Sequence, residues 1–271
     1  LADLNADGTD DIVVSYGYRC PPCGIQVIDG FGNVLWDFPT PLRLGDAATG
    51  DINGDGRPDV VVGEWNDGHG VYAIDSSGDL LWKFEHAGPA SGNGGAPLAL
   101  GDIDRDGRID VVFGSFQDGH VYVLDGDGRV MWTFNARARV SRVAIGDVDG
   151  DGHNEIAATT VVDYETGAGQ VGVYALDSDG TLLWFSPKSA SHAVPGFWDL
   201  VVIDVNGDGR AEVIAVQADL GTGENGFAVA LATPNACIYR LWENGAVIGH
   251  DGGPITLRLD TQPGCEWSTF S

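Results

Sequence analysis

The chain alternates between short β-branched or aromatic runs and stretches rich in aspartate and glycine. DVVVG at 59–63 and DVVFGSF at 110–116 are runs of the first kind, and their β-branched content suits buried strands better than helices. A second pattern recurs in step with the first: IQVIDGFGNVLWDF at 25–38, VYAIDSSGDLLWKF at 71–84, VYVLDGDGRVMWTF at 121–134 and VYALDSDGTLLWFS at 173–186. Each sets two apolar flanks around an Asp/Gly turn, which predicts a β-hairpin. Trp36, Trp82, Trp132 and Trp184 fall at matching places, as residues that pack one repeat on the next. The third repeat then contains strands at about 97–102, 109–116, 120–125 and 129–134. A four-stranded sheet that is apolar on both faces must be covered on both, and radial stacking covers it while leaving few open edges. The predicted fold is all-β, a β-propeller of four-stranded blades.

Between the first and second strand of each repeat, save the first repeat, which lacks a strand ahead of it, lies an acidic nonapeptide: DLNADGTDD from Asp3, DINGDGRPD from Asp51, DIDRDGRID from Asp102, DVDGDGHNE from Asp147 and DVNGDGRAE from Asp204. Oxygen side chains at positions 1, 3, 5 and 9, a glycine at 6 and a backbone carbonyl at 7 form the ligand pattern of a calcium loop. The side-chain ligands of the five copies are Asp3, Asn5, Asp7 and Asp11; Asp51, Asn53, Asp55 and Asp59; Asp102, Asp104, Asp106 and Asp110; Asp147, Asp149, Asp151 and Glu155; and Asp204, Asn206, Asp208 and Glu212. The carbonyl ligands are those of Thr9, Arg57, Arg108, His153 and Arg210. Gly8, Gly56, Gly107, Gly152 and Gly209 allow the sharp turn where a side chain would clash. An EF-hand also opens D-x-[DN]-x-[DN]-G, but it requires a glutamate at position 12. That place holds Val14, Val62, Phe113, Ala158 and Ala215. The expected cofactor is Ca²⁺, about five ions, one for each loop.

The loop halves, as in GDINGDGRPDVVVGEW, resemble FG-GAP or VCBS repeats, the units of integrin-α-like propellers and of many bacterial surface proteins. The hairpin halves resemble quinoprotein-type blades. The resemblance covers most of residues 1–242 and implies a single propeller domain over 1–271, with repeats beginning near 1, 42, 97, 140 and 198 and an irregular tail at 243–271. The tail GGPITLRLDTQPGCEWSTF resembles GGAPLALGDIDRDGRIDVVFGSF with its metal loop eroded. Its strand either pairs with the first repeat to close a five-bladed ring, the preferred alternative, or opens a degenerate sixth blade. The chain lacks an initiator methionine, from which a mature, cleaved or excised product is expected.

Composition narrows the partners. The formal charge is −26, with 14 Lys and Arg against 40 Asp and Glu. Nucleic acid and anionic membranes need basic clusters that this balance does not supply. No segment reaches the ~18 apolar residues needed for a membrane-spanning helix, so membrane insertion is not expected. Carboxylates crowded into one loop repel one another without a cation, so calcium is expected to stabilise the fold. Millimolar calcium is an extracellular condition, which places the chain outside the cell, secreted or at a cell surface. Cys20, Cys23, Cys237 and Cys265 form an even set, read as two structural disulfides of a secreted protein, with a redox CxxC or a zinc site as the alternatives.

No catalytic constellation stands out. His69, His86, His120, His153, His192 and His250 are dispersed, and His69 and His120 share a turn position before the third strand. GTGENG at 221–226 lacks the strand-to-helix setting of a phosphate loop. The function expected is a calcium-stabilised adhesion, binding or scaffold module with no enzymatic activity. It would meet a glycan or surface protein through loops at 64–70, 87–96, 163–170, 187–197 and 218–226, near which Trp65, Tyr164 and Trp198 can stack on sugar rings. Self-assembly by strand addition is a further expectation. The alternative is a polysaccharide lyase that resembles rhamnogalacturonan lyases and acts on acidic glycans.

Overall fold

A computed structural model describes residues 1–17, 21–65, 70–86, 97–162, 169–187, 196–204, 207–218, 227–232, 238–243 and 257–261. Its strands form five antiparallel sheets in chain order. The first contains β1 (Ile12–Tyr16), β2 (Cys23–Ile28) and β3 (Val34–Thr40). The second runs β4 (Leu44–Gly50), β5 (Asp59–Glu64), β6 (Gly70–Ile74) and β7 (Leu80–Glu85). The third is β8 (Leu98–Gly101), β9 (Asp110–Gly114), β10 (His120–Leu124) and β11 (Val130–Asn135), each within two residues of the sequence expectation. The fourth comprises β12 (Arg139–Gly146), β13 (Glu155–Val161), β14 (Gly172–Leu176) and β15 (Leu182–Pro187). The fifth adds one strand to the pattern: β16 (Phe197–Ile203), β17 (Glu212–Ala218), β18 (Phe227–Ala232), β19 (Ile238–Glu243) and β20 (Leu257–Thr261).

The extra strand corrects the expectation for the tail. β20 pairs antiparallel with β19, from Tyr239 opposite Thr261 to Glu243 opposite Leu257, rather than with β1. A connection of about a dozen residues returns it beside its predecessor, and sequential strands commonly pair in this way because a short loop loses less entropy on closure than a long one.

Apolar surface is buried between the sheets, which is why the second strands read as unbroken apolar runs. β5, β9 and β13 are buried at every position. The fourth strands β7 and β11 alternate between exposed and half-buried residues, as an outer strand with one wet face must. Four clusters fill the spaces between successive sheets. Ile25, Val27, Val60 and Val62 join the first and second; Val61, Ala73, Val111 and Phe113 the second and third; Val112, Val123, Ile156 and Leu176 the third and fourth; Ala157, Val173, Val213 and Ala215 the fourth and fifth. Each Val, Leu, Ile or Phe side chain among them contributes about 1.5–3 kcal/mol on full burial.

The first strands touch in series, β1 on β4, β4 on β8, β8 on β12 and β12 on β16. β4, β8 and β12 each end in a glycine at this approach, Gly50, Gly101 and Gly146. A Cβ on Gly146 would lie 2.6 Å from a methyl of Val202, nearer than two carbons can come. On the outer side the tryptophans fasten neighbours. Trp36 Nε1 donates to Ser76 O at 3.0 Å, Trp82 Nε1 to Gly126 O at 3.0 Å and Trp132 Nε1 to Ser178 O at 2.8 Å. In each case the acceptor is the hairpin turn of the next sheet, so the expectation that these residues pack repeat on repeat is met, with a hydrogen bond added.

Candidate metal centres

The acidic loops connect the first strand of a sheet to its second, and the ninth residue is the first of that second strand: Asp59 opens β5, Asp110 opens β9, Glu155 opens β13 and Glu212 opens β17. In the first repeat the isolated bridge between Ala2 and Asp11 holds the same place. Two positions in each loop have left-handed backbone. Position 4 has φ 60° at Ala6, 77° at Gly54, 62° at Arg105 and 78° at Gly150. Position 6 has φ between 81° at Gly152 and 89° at Gly8. At Gly8, Gly56, Gly107 and Gly209 an added Cβ would meet nothing within 4 Å. The glycine is therefore required by φ, through the clash of a Cβ with its own backbone, and not by a neighbour.

The carboxylates are held by the amides of their own loop. Asp51 accepts from Gly54 N at 2.8 Å, Asp55 N at 3.0 Å and Gly56 N at 2.9 Å; Asp3 accepts from Asp7 N and Gly8 N; Asp204 accepts from Gly207, Asp208 and Gly209 N. The fifth residue accepts from the amide of the seventh: Asp7 from Thr9, Asp55 from Arg57, Asp106 from Arg108, Asp151 from His153 and Asp208 from Arg210. One oxygen of the ninth residue accepts from the amide of the second. These bonds join Asp11 to Leu4 N at 2.9 Å, Asp59 to Ile52 N at 3.0 Å, Asp110 to Ile103 N at 2.8 Å and Glu155 to Val148 N at 2.6 Å.

In the third loop Asp102, Asp104 and Asp110, and in the fourth Asp147, Asp149 and Glu155, bring one carboxylate oxygen each to within 4.8 Å of the others, close enough to share a metal ion. Asp106 and Asp151, also predicted as ligands, each accept the position-7 amide on one oxygen. In the first and second loops the central place is taken by Asn5 and Asn53, and Asn53 Nδ2 donates to Asp59 Oδ1 at 3.5 Å. Asn206 lies outside the described residues.

Electrostatics at the ninth position fit a cation. Asp11, Asp59, Asp110 and Glu155 are all buried. Burial pushes the Asp110 carboxyl up to about 6 and that of Glu155 up to about 7, and raises Asp59 as well. Two buried oxygens, Asp11 Oδ1 and Asp102 Oδ1, accept no hydrogen bond. A buried oxygen without a donor is unfavourable unless something positive faces it. Hard carboxylate oxygens clustered in this way suit a hard divalent ion such as Ca²⁺.

The sequence reading missed the second position of the loop. Leu4, Ile52, Ile103 and Val148 are each 0–1% exposed and anchor the loops in the core clusters. A regular apolar residue inside an otherwise polar nonapeptide was the available signal. Among the remaining predicted residues, Cys23 is in a disulfide, while Cys20, Cys237, Cys265, His69, His192, His250 and Tyr164 lie outside the described residues. Trp65 lies beneath the Arg43 guanidinium, 4.9 Å from its ring centroid. His120 has the expected turn role, its amide donating to Asp118 Oδ1 at 3.0 Å. Asp118 also accepts from Tyr122 Oη at 2.6 Å and lies 3.3 Å from His86 Nδ1. Burial alone would raise its carboxyl, but the neighbouring His86 ring and the hydrogen bond from Tyr122 prevail and hold it well below the usual range.

Comparison with known proteins agrees with this architecture. Models of the FG-GAP-like repeat match residues 51–113, 102–158 and 147–215, together more than half of the chain. No curated protein sequence matches it. Among solved structures, the V. cholerae biofilm matrix protein Bap1 is similar with a TM-score of 0.51 and 16% identity, over 96% of this chain and 54% of that one. BBS1N in complex with ARL6DN gives a TM-score of 0.52 and 11% identity, over 90% of this chain and 86% of its own. Saccharomyces cerevisiae Sqt1 gives 0.51 and 11%, over 84% and 57%. The chain thus spans about half the length of Bap1, and at these identities the likenesses show the fold alone. With propeller-like four-stranded blades, an acidic loop at the same place in each repeat and the repeat model matching over most of its described core, the chain belongs to the FG-GAP-like repeat family.

Proposed function

We propose that the chain is a calcium-stabilised β-propeller module that works outside the cell in adhesion or as a scaffold, without catalysing a reaction. The observation that carries this reading is the convergence of Asp102, Asp104 and Asp110, and of Asp147, Asp149 and Glu155, at the same bend of successive sheets. A cation at each of the five loops offsets a large part of the formal charge of −26 and relieves the repulsion that the folded chain otherwise bears. Bap1, a biofilm matrix protein with the same fold, is compatible with a scaffold role. The face presented to a glycan or surface protein is the end opposite the metal loops, where the strand that follows each metal loop is joined to the next strand of its sheet. Cys23 is disulfide-bonded, which suits an oxidising compartment.

Thermal unfolding in Ca²⁺ and in excess EDTA tests the metal. One site held at a hundred times its Kd stabilises by about 2.7 kcal/mol, and each kcal/mol moves the Tm by about 2–4 °C at this size. Calcium is therefore expected to raise the Tm by several degrees or more, and identical transitions in the two buffers would remove the metal from the account. Glycan-array binding with and without Ca²⁺ tests the partner class. An assay for new unsaturated ends on pectic substrates tests the absence of catalysis, and product formation would replace this reading with that of a lyase.

A further inference from the structure

Successive metal loops are in physical contact, and the contact runs through the eighth residue of the later loop. Asn154 Nδ2 of the fourth loop donates to Asp102 O of the third at 3.2 Å. Ala211 N of the fifth loop donates to Asp147 O of the fourth at 2.6 Å. The acceptor in both cases is the backbone carbonyl of position 1, the residue whose carboxylate opens the cation site. A second contact supports each junction. The Arg105 side chain lies against Gly152, and that of Arg210 against Gly150. At the second and third loops, which follow a loop in the same way, the eighth residue is Pro58 and Ile109, neither of which has a side-chain donor.

We infer that cation binding at the third and fourth loops is coupled, with Asn154 as the residue that transmits the coupling; this rests on the calcium reading of the loops. Asn154 stands between His153, whose amide is bound by Asp151, and Glu155, which accepts from Val148 N and Asp149 N. An ion in the fourth loop draws Asp147, Asp149 and Glu155 together, and so fixes Asn154, next to Glu155 in the chain. A fixed Asn154 holds the Asp102 carbonyl, and with it the start of the third loop, where Asp102 Oδ1 is buried without a hydrogen bond. The ordering that the third loop needs is then partly complete before its own ion arrives, which is positive cooperativity by shared ordering. Coupling is reciprocal, so the third loop favours the fourth to the same degree. Asn154 is a positioning residue here and not a ligand.

The test follows the amide resonances of Gly107 and Gly152, one in each loop, during titration of the intact chain with Ca²⁺ alone. Disabling the fourth loop with Asp149→Ala, which leaves no oxygen at the place where Asp104 and Asn53 stand in their loops, is expected to move the Gly107 midpoint to at least about fivefold higher Ca²⁺, the lower end of usual coupling. In the Asn154→Ala background the same change should move it by less than about twofold. Asn154→Leu, which keeps the bulk and removes the donor, serves as the second variant and should behave as the alanine does. An equal shift with and without Asn154, or no shift in either, overturns the coupling while leaving the metal sites intact. If neither glycine responds to Ca²⁺ in the unaltered protein, the calcium reading falls first.

Discussion

Trp82 Nε1 donates to the carbonyl of Gly126 at 3.0 Å, across 44 residues of sequence and from one sheet to the next. The same indole covers Gly128, where a Cβ would come within 2.7 Å of the ring. One aromatic residue thus reads two features of its neighbour's hairpin, a free carbonyl and a missing side chain, and Trp36 and Trp132 do the same with Ser76 and Gly78 and with Ser178 and Gly180.

Replacing Trp82 with phenylalanine keeps most of the ring contact and removes the donor. A net hydrogen bond contributes about 1 kcal/mol, so the Tm is expected to fall by about 2–4 °C. Differential scanning calorimetry checks this, and a Trp82→Phe protein as stable as its parent would reduce the bond to a bystander.

Glycine to alanine changes separate backbone strain from collision. Gly107 has φ 86° and open space around it, whereas Gly128 has φ 78° and the Trp82 ring above it. Gly107→Ala should destabilise by about 1–2 kcal/mol, the strain of left-handed backbone alone. Gly128→Ala should lose clearly more in urea unfolding at the same Ca²⁺ concentration, because the indole must also move.

Asp51 and Asp104 should differ in the absence of metal. Asp51 accepts three loop amides, while the bond shown for Asp104 is one, from Asp106 N. Asp51→Ala is therefore expected to lower the Tm in EDTA, by the effect of exposed amides losing a charged acceptor, and Asp104→Ala to lower it chiefly when Ca²⁺ is present. Melting curves in the two buffers distinguish them.

Burial raises the carboxyls of Asp110 and Glu155 to about 6 and about 7. A carboxyl whose pKa is higher in the folded state binds more protons there than when unfolded, so stability falls as pH rises through that interval. Metal-free protein should consequently lose Tm between pH 5 and pH 7.5. Saturating Ca²⁺ should flatten the slope, since the ionised form is then the one stabilised. Asp118 is shifted the other way; its contribution is complete above the ordinary carboxylate range and is lost only as pH falls below it, outside this window. A Tm in EDTA that climbs from pH 5 to pH 7.5 would contradict the burial of these two acids.

Much of this was visible in the sequence because repetition turned weak local signals into strong ones. The nonapeptides located every loop from Asp3 to Glu212, and the Asp/Gly turns located four hairpins. What the chain did not disclose depends on neighbours distant in sequence. That Ile52 and Val148 anchor loops, that Gly128 lies beneath an indole and that Asn154 reaches Asp102 are each set by the sheet alongside. The tail was misjudged for the same reason. Its likeness to a first strand was real, but likeness carries no information about which edge a strand will take, and β20 took the edge of β19.

The three tryptophan staples, Trp36, Trp82 and Trp132, point forward, each of the first three sheets gripping the one after it. Such an array behaves as a row of linked units whose stability is shared between nearest neighbours. Damage at Trp82 loosens the junction between the second and third sheets and divides the row into two short segments, whereas damage at Trp36 parts one terminal sheet and leaves the others stacked. Tolerance to substitution should accordingly grow from the middle of the row outward.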